Sequence, residues 1–201
     1  MKALLGKKLA MTQHFRDDGT VVPATLIEAG PCVITQVKTA GRDGYAAVQI
    51  GWGAVKHVPK PIAGHLKDGR PVKHLREFRV EKPEEFSRGQ ELSVAQFSAG
   101  ETVKVTGWSK GRGFQGVVKR HHFKGAPATH GHKDDLRMPG SIGPTEPQHV
   151  FKGTRMAGRM ASHRVTVRGL KVLAVDADKH QLLVSGALPG ARNGFLMITA
   201  Q

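Results

Sequence analysis

Hydrophobic and polar positions alternate with a period of two in a series of short runs, the pattern of strands that bury one face. Residues 9–15 run into the turn signal Arg16-Asp17-Asp18-Gly19-Thr20, and residues 21–28 follow as the return strand. Pro31 opens a run over 32–38 in which Val33, Thr35 and Val37 share one face and Gln36 and Lys38 the other. After the turn Gly41-Arg42-Asp43-Gly44, residues 45–50 place Ala46, Val48 and Ile50 together. Residues 90–97, 101–106, 164–175, 181–185 and 195–199 predict further strands, with a hairpin turning on Asp176, Asp178 and Lys179. The in–out phase slips at Gly169, which predicts a β-bulge. Helical spacing is confined to residues 59–79: Ile62 and Leu66 are four apart, Leu75 and Phe78 three apart, with Gly69 and Pro71 breaking the run into turns. Short strands at this spacing predict a mainly β protein built on a small closed barrel with short helical turns.

The alternation stops between residues 107 and 164. That segment has few aliphatic residues (Val117, Val118, Leu136, Ile142 and Val150) but ten glycines and four prolines. It has too little to bury to fold as a domain of its own. The expected organisation is therefore one barrel made of 1–106 and 165–201, with a mixed helical insert near 59–90, and an extended loop over 107–164. A long stretch without regular structure inside a compact protein implies a function, and here a conformation taken from a partner.

Charge says what kind of partner. The 201 residues carry a formal net charge of +15. The segment 107–164 holds eleven Lys+Arg against three acids, and so +8 of that total, together with six of the eleven histidines. A chain this basic calls for a polyanion, either nucleic acid or an anionic membrane surface. No apolar run approaches the ~18 residues of a membrane span. Lysines interrupt Met1-Lys2-Ala3-Leu4-Leu5-Gly6-Lys7-Lys8 too early for a secretory h-region. Cys32 is the single cysteine, which excludes a disulfide framework and a cysteine zinc site. The expectation is a cytosolic protein.

The candidate chemistry lies in the same segment. Gly111-Arg112-Gly113-Phe114-Gln115-Gly116 has the spacing of a nucleotide-binding glycine loop. That reading needs a βαβ unit and a distant acid. Lys119-Arg120-His121-His122 follows instead, and the alternative of an RNA- or nucleotide-processing enzyme rests on this motif alone. His121, His122, His130, His132, His149 and His163 lack the helical or strand spacing that fixes metal ligands. No positioned nucleophile or acid–base pair stands out, so no enzyme activity, metal, cofactor or small-molecule substrate is expected. Trp108, Phe114, Phe123 and Phe151 are interleaved with cations, the mixture with which RNA-binding surfaces stack bases and neutralise phosphates. Packing of Trp108 against the barrel is the competing reading. Candidate RNA ligands are Trp108 and Phe114; Lys110, Arg112, Lys119, Arg120, Lys124, Arg137, Lys152, Arg155, Arg159 and Arg164; and His121, His122, His130, His132 and His149.

Longer motifs run the length of the chain. They include Gly6-Lys7-Lys8-Leu9-Ala10-Met11-Thr12, Asp43-Gly44-Tyr45-Ala46-Ala47-Val48-Gln49 and Val105-Thr106-Gly107-Trp108-Ser109-Lys110, the last running on into the glycine motif. Thr129-His130-Gly131-His132, Pro139-Gly140-Ser141-Ile142-Gly143, Val150-Phe151-Lys152-Gly153, Met156-Ala157-Gly158 and Arg164-Val165-Thr166-Val167 follow in order. In these the chain closely resembles the bacterial branch of the large-subunit ribosomal protein three family. The resemblance implies a six-stranded barrel of the translation-protein type, seated on the last domain of the large-subunit (23S-type) ribosomal RNA. It also implies an extension running toward the peptidyl-transferase centre, early action in subunit assembly, and large-subunit proteins fourteen and nineteen as neighbours. The innermost tip would fall near 141–152, which adds Ser141 to the RNA ligands. Two positions depart from the family pattern. Pro144 stands where many relatives carry a methylated Gln, and Ala161 follows Met160 where relatives usually have Gly.

Overall fold

The computed structural model describes residues 1–66 and 69–201. In chain order its elements are β1 (Ala3–Phe15), β2 (Val21–Ala29), β3 (Cys32–Lys38), α1 (Ala40–Asp43), β4 (Ala47–Ala54), α2 (Lys60–Leu66), β5 (Val72–Arg79), β6 (Glu91–Leu92) and β7 (Thr102–Trp108). Then come β8 (Phe114–Gln115), α3 (Val117–His121), β9 (Gly158–Arg159), β10 (Arg164–Asp176), β11 (Gln181–Ser185) and β12 (Phe195–Ala200). They fall into two units, Met1–Trp108 with Arg164–Gln201, and Ser109–His163.

Six strands of the first unit close a barrel in the order β1-β12-β7-β10-β11-β2, every neighbouring pair antiparallel. Closure leaves no open edge in this sheet. Inward residues of the strands, among them Leu4, Ile27, Val105, Leu182 and Ile198, are fully buried. The β7–β10 ladder skips between Val167 and Leu170, and Gly169 there sits at φ +71°, so the phase slip is a bulge. Cys32 is buried with its sulfur 3.4 Å from both Leu5 N and Leu5 O, and burial pushes its thiol pKa up to about 11.

Not every short strand enters the barrel. β3 and β4 belong to a second sheet of order β5-β4-β3-β6. Period-two alternation shows that a strand buries a face, but not which sheet the strand joins. Ile34, Val48 and Ile50 of the second sheet share one core with the barrel. β4 is buried on both faces, because Gln49, on the face opposite Val48, is covered as well. Thr35 Oγ1 donates to Gln49 Oε1 at 2.8 Å, and His65 Nε2 of α2 lies 2.8 Å from the same oxygen. Beside them Glu77 is bound by Lys38 Nζ at 2.8 Å and by the Tyr45 hydroxyl at 2.7 Å. These two donors hold the Glu77 carboxyl below its usual range, and Glu77 in turn raises Lys38.

Two local expectations are corrected. The helical stretch predicted over 59–79 crosses residues 67 and 68, which lie outside the described residues. Its first part is α2, but Val72–Arg79 is the strand β5, paired with β4 from Ala54↔Val72 to Ala47↔Arg79. The three-residue spacing of Leu75 and Phe78 suggested helix, yet pairing with the edge of β4 satisfies the backbone of β5 and overrides it. The strand predicted over 90–97 is reduced to Glu91–Leu92, followed by a 3₁₀ turn at Val94–Gln96. Val94 and Phe97, three apart, are both buried, and a strand would have put them on opposite faces.

Gly6 shows how tightly the β1–β2 seam is packed. A Cβ there would lie 2.3 Å from the backbone oxygen of Glu28, whereas one at Gly41 would meet nothing within 4 Å. Gly6→Ala is expected to destabilise by roughly 3 kcal/mol, the upper range for overpacking. For a chain this size that lowers the thermal midpoint by roughly 10 °C. Gly41→Ala should leave the midpoint within about 2 °C, and differential scanning calorimetry of the two variants checks both.

Candidate nucleic-acid interface

The unit Ser109–His163 opens and closes as an antiparallel ribbon. β8 pairs with β9 through Phe114↔Arg159 and Gln115↔Gly158. The ribbon is lengthened by bonds from Met160 N to Gly113 O at 2.9 Å, Arg112 N to Met160 O at 3.1 Å, and Ser109 N to His163 O at 2.9 Å. α3 starts directly after Gly116, and from its last turn Arg120 donates to the Met156 carbonyl at 2.6 Å. His121 Nε2 is 3.2 Å from the same carbonyl. Gly158 makes room for this clip, since a Cβ there would lie 2.6 Å from Arg120 Nη1. Val117 is the one buried hydrophobic of this unit among the described residues. Ser109–His163 thus holds its path by backbone pairing and one guanidinium rather than by a core.

The arrangement separates the candidate ligands. Arg120 and His121 have an internal partner and work inside the ribbon. Lys110, Arg112, Lys119, Lys124, Arg137, Lys152, Arg155 and Arg159 are exposed, as is Arg164 at the start of β10. The ion pairs among the described residues all lie outside Ser109–His163. These cations therefore face solvent without a carboxylate. His122 and His130 stand at positive φ on exposed turns, and His132 is half-buried. His149 packs edge-on against Phe151 at 5.5 Å. The Ser141 hydroxyl donates to Gly143 O at 3.0 Å and closes the local bend. Phe114 is 76% exposed and Phe151 55%, and Leu136, Met138, Ile142, Val150 and Met156 are exposed with them. So many uncovered large apolar side chains on a strongly basic segment indicate a surface completed by another molecule.

Trp108 lies in the other unit, at the end of β7. Its ring is 6.3 Å from that of Phe195, and the Arg76 guanidinium lies over it at 5.7 Å. The stack continues through His74, 4.3 Å from Phe195, to Trp52. Burial, with Lys73 and Arg76 nearby, holds the His74 pKa below its usual value. The packing reading of Trp108 accounts for this geometry, although 39% of the residue stays exposed. Arg76 and Phe195 are far from Trp108 in sequence, and no local pattern marks them. The glycine motif is not set in a βαβ unit: β8 pairs antiparallel with β9, so α3 is no crossover helix. Among the described residues no group of three His, Cys, Asp or Glu is placed to hold a metal, and no helix is long and apolar enough to cross a membrane.

A six-stranded barrel in one chain with a basic, coreless segment of exposed aromatics and cations without carboxylate partners defines the class of proteins that meet a polyanion through an extension. Comparison with known proteins narrows the class. The family model described as Ribosomal protein L3 matches residues 66–188. The chain is 50% identical to the Large ribosomal subunit protein uL3 of Herpetosiphon aurantiacus, covering 99% of this chain and 96% of that protein. Its identity to the uL3 proteins of Roseiflexus and Heliobacterium modesticaldum is 53% and 51%, over 98% of this chain and 96% and 95% of theirs. The chain belongs to the uL3 family of large-subunit ribosomal proteins.

The return path of the ribbon carries backbone strain that glycine would relieve. Ala161 is at φ +64° and Ser162 at +57°, in the left-handed region that glycine tolerates. A non-glycine residue there costs about 1–2 kcal/mol, partly offset in glycine by about 0.5–1 kcal/mol of backbone entropy. Ala161→Gly is therefore expected to slow hydrogen exchange at the Met160 and Arg112 amides severalfold, while the amides of β7 stay unchanged.

Proposed function

We propose that this chain is a structural constituent of the large ribosomal subunit that binds 23S-type rRNA directly through Ser109–His163. It nucleates early subunit assembly and sends the segment near 141–152 toward the peptidyl-transferase centre. It works in the cytoplasm, ribosome-bound, beside large-subunit proteins fourteen and nineteen, and it is not an enzyme. The observation that carries this reading is the exposed set of cations in Ser109–His163, none paired to a carboxylate, interleaved with uncovered aromatics. RNA supplies what both lack: phosphates for the cations and base faces for the rings.

Binding of this kind releases counterions, and each neutralised phosphate steepens the slope of log K against log salt by about 0.7–0.9. Arg155 and Arg159 are exposed on the return path and are suited to bidentate phosphate contacts. The variant Arg155→Gln/Arg159→Gln is expected to bind a large-subunit rRNA fragment with a slope shallower by roughly 1.5 units. An unchanged slope would show that these side chains are solvated and that the extension is not held by phosphate contacts at this place.

A further inference from the structure

β1 and β2 run on past their barrel neighbours as a two-stranded ribbon. β12 accompanies β1 only from Ala3 to Lys7, and β11 accompanies β2 only from Ala24 to Glu28. Beyond those points the two strands pair with each other alone among the described residues, out to Phe15↔Val21. Alternate residues of a strand share a face, and so do directly opposed residues of antiparallel strands. Met11, Gln13 and Phe15 therefore stand on one face with Pro23 and Val21, which oppose Gln13 and Phe15. Phe15 is 66% exposed, Val21 51% and Met11 50%. The other face is better covered: His14 and Val22 are half-buried and Ala24 is buried. Single exposed apolar residues need no explanation, but these adjoin one another on one side of a projecting ribbon.

The ribbon is also where the chain stops being basic. Residues 9–37 hold one Lys or Arg, Arg16, against Asp17, Asp18 and Glu28, in a chain of net charge +15. Glu28 is bound by Lys7 at 3.1 Å, at the barrel end of the strands. At the tip Asp18 accepts from Thr20 N at 2.8 Å and from the Thr20 hydroxyl, and these donors hold its carboxyl below the usual range. Asp17 is exposed and has no ion pair among the described residues. The apolar face carries no cation to meet a phosphate, and the carboxylates at its tip repel one. Aromatic and Met side chains with few charges among them are what the centre of a protein–protein contact is made of. A second copy of this chain is a poor occupant, because two bodies of charge +15 repel each other.

We propose that the Met11, Phe15, Val21 and Pro23 face of the ribbon docks a neighbouring protein of the large subunit, one that presents an apolar patch bordered by Lys or Arg. Phe15 and Val21 pack into the patch, and Asp17 meets the bordering cation at the rim. The docking face rests on the reading that the chain is a constituent of the large subunit. It gives the chain a protein-binding element made of other residues than the cations and rings of Ser109–His163.

The test uses the full chain with photoreactive benzoyl-phenylalanine in place of Phe15, built into large subunits reconstituted from rRNA and the total large-subunit proteins. After irradiation, mass spectrometry identifies what the probe has joined. The expected product is an adduct to a different protein, at an apolar residue with Lys or Arg close by on the same peptide. Asp17→Lys in the same photoreactive chain should lower the yield of that adduct by roughly threefold, since it turns a rim attraction into a repulsion. An adduct on rRNA assigns the face to RNA, and one between two copies of this chain assigns it to self-association; either overturns the proposal. Subunits that contain the chain but give no adduct overturn it as well, because the face then lies open to solvent. Subunits that exclude the wild-type chain overturn the reading of the chain as a subunit constituent, and the docking face with it. A second measurement uses Phe15→Ser/Val21→Ser, two exposed changes, with the same large-subunit rRNA fragment titrated over salt. Wild-type affinity and slope are expected, and a loss of affinity in a variant that keeps the wild-type thermal midpoint would place RNA on this face and overturn the proposal.

Discussion

Trp108 and Arg164 stand opposite each other in the β7–β10 ladder, and the remainder of the structure depends on that pairing. The chain leaves the barrel at one and re-enters at the other, so the 55 residues from Ser109 to His163 are in topological terms the loop of a β-hairpin. Loop-closure entropy rises only with the logarithm of loop length. Replacing a five-residue turn by this excursion costs about 2 kcal/mol. The ladder on either side, and the closed ring to which it belongs, absorb that cost. A long insertion is compatible with a stable barrel because its ends are fixed side by side.

This topology separates the chain's two tasks. The first unit buries its aliphatic residues in one core shared by barrel and second sheet, and all the ion pairs found among the described residues lie within it. Ser109–His163 has Val117 for a core and leaves its cations unpaired. Its order comes from backbone bonds of the ribbon and from Arg120, whose guanidinium ties α3 to the return path at Met156. A segment built this way keeps nearly every other charged and aromatic side chain available to a partner. Dispersing the same charge over the barrel would have placed like charges around a ring of neighbouring strands.

The sequence showed the barrel more clearly than the second sheet, for a physical reason. A half-buried strand writes a period of two into its residues, and a bulge writes a phase slip, as at Gly169. Which sheet a strand joins is decided by distant partners, so β3 and β4 looked like barrel strands. β5 looked helical because Leu75 and Phe78 are three apart, and only its pairing with β4 corrects that. The basic segment was legible because it lacks aliphatic residues and concentrates charge. The internal engagement of Arg120 and His121 was not, since their acceptor lies on the return path more than thirty residues away.

The independence of the barrel from the extension is the claim on which this account stands. Removing residues 115–157 and joining the ribbon stubs with a short Gly-Ser turn tests it, with calorimetry and rRNA-fragment binding measured on the same protein. The account predicts one cooperative unfolding transition, with a midpoint within about 5 °C of the full chain, because the loop-closure cost only falls. It also predicts a salt slope shallower by roughly 3 units, if about half of the seven deleted Lys and Arg meet phosphate. A shortened chain that fails to fold would show that Ser109–His163 is part of what stabilises the barrel, and would contradict the division of the molecule into a self-sufficient barrel and a binding extension.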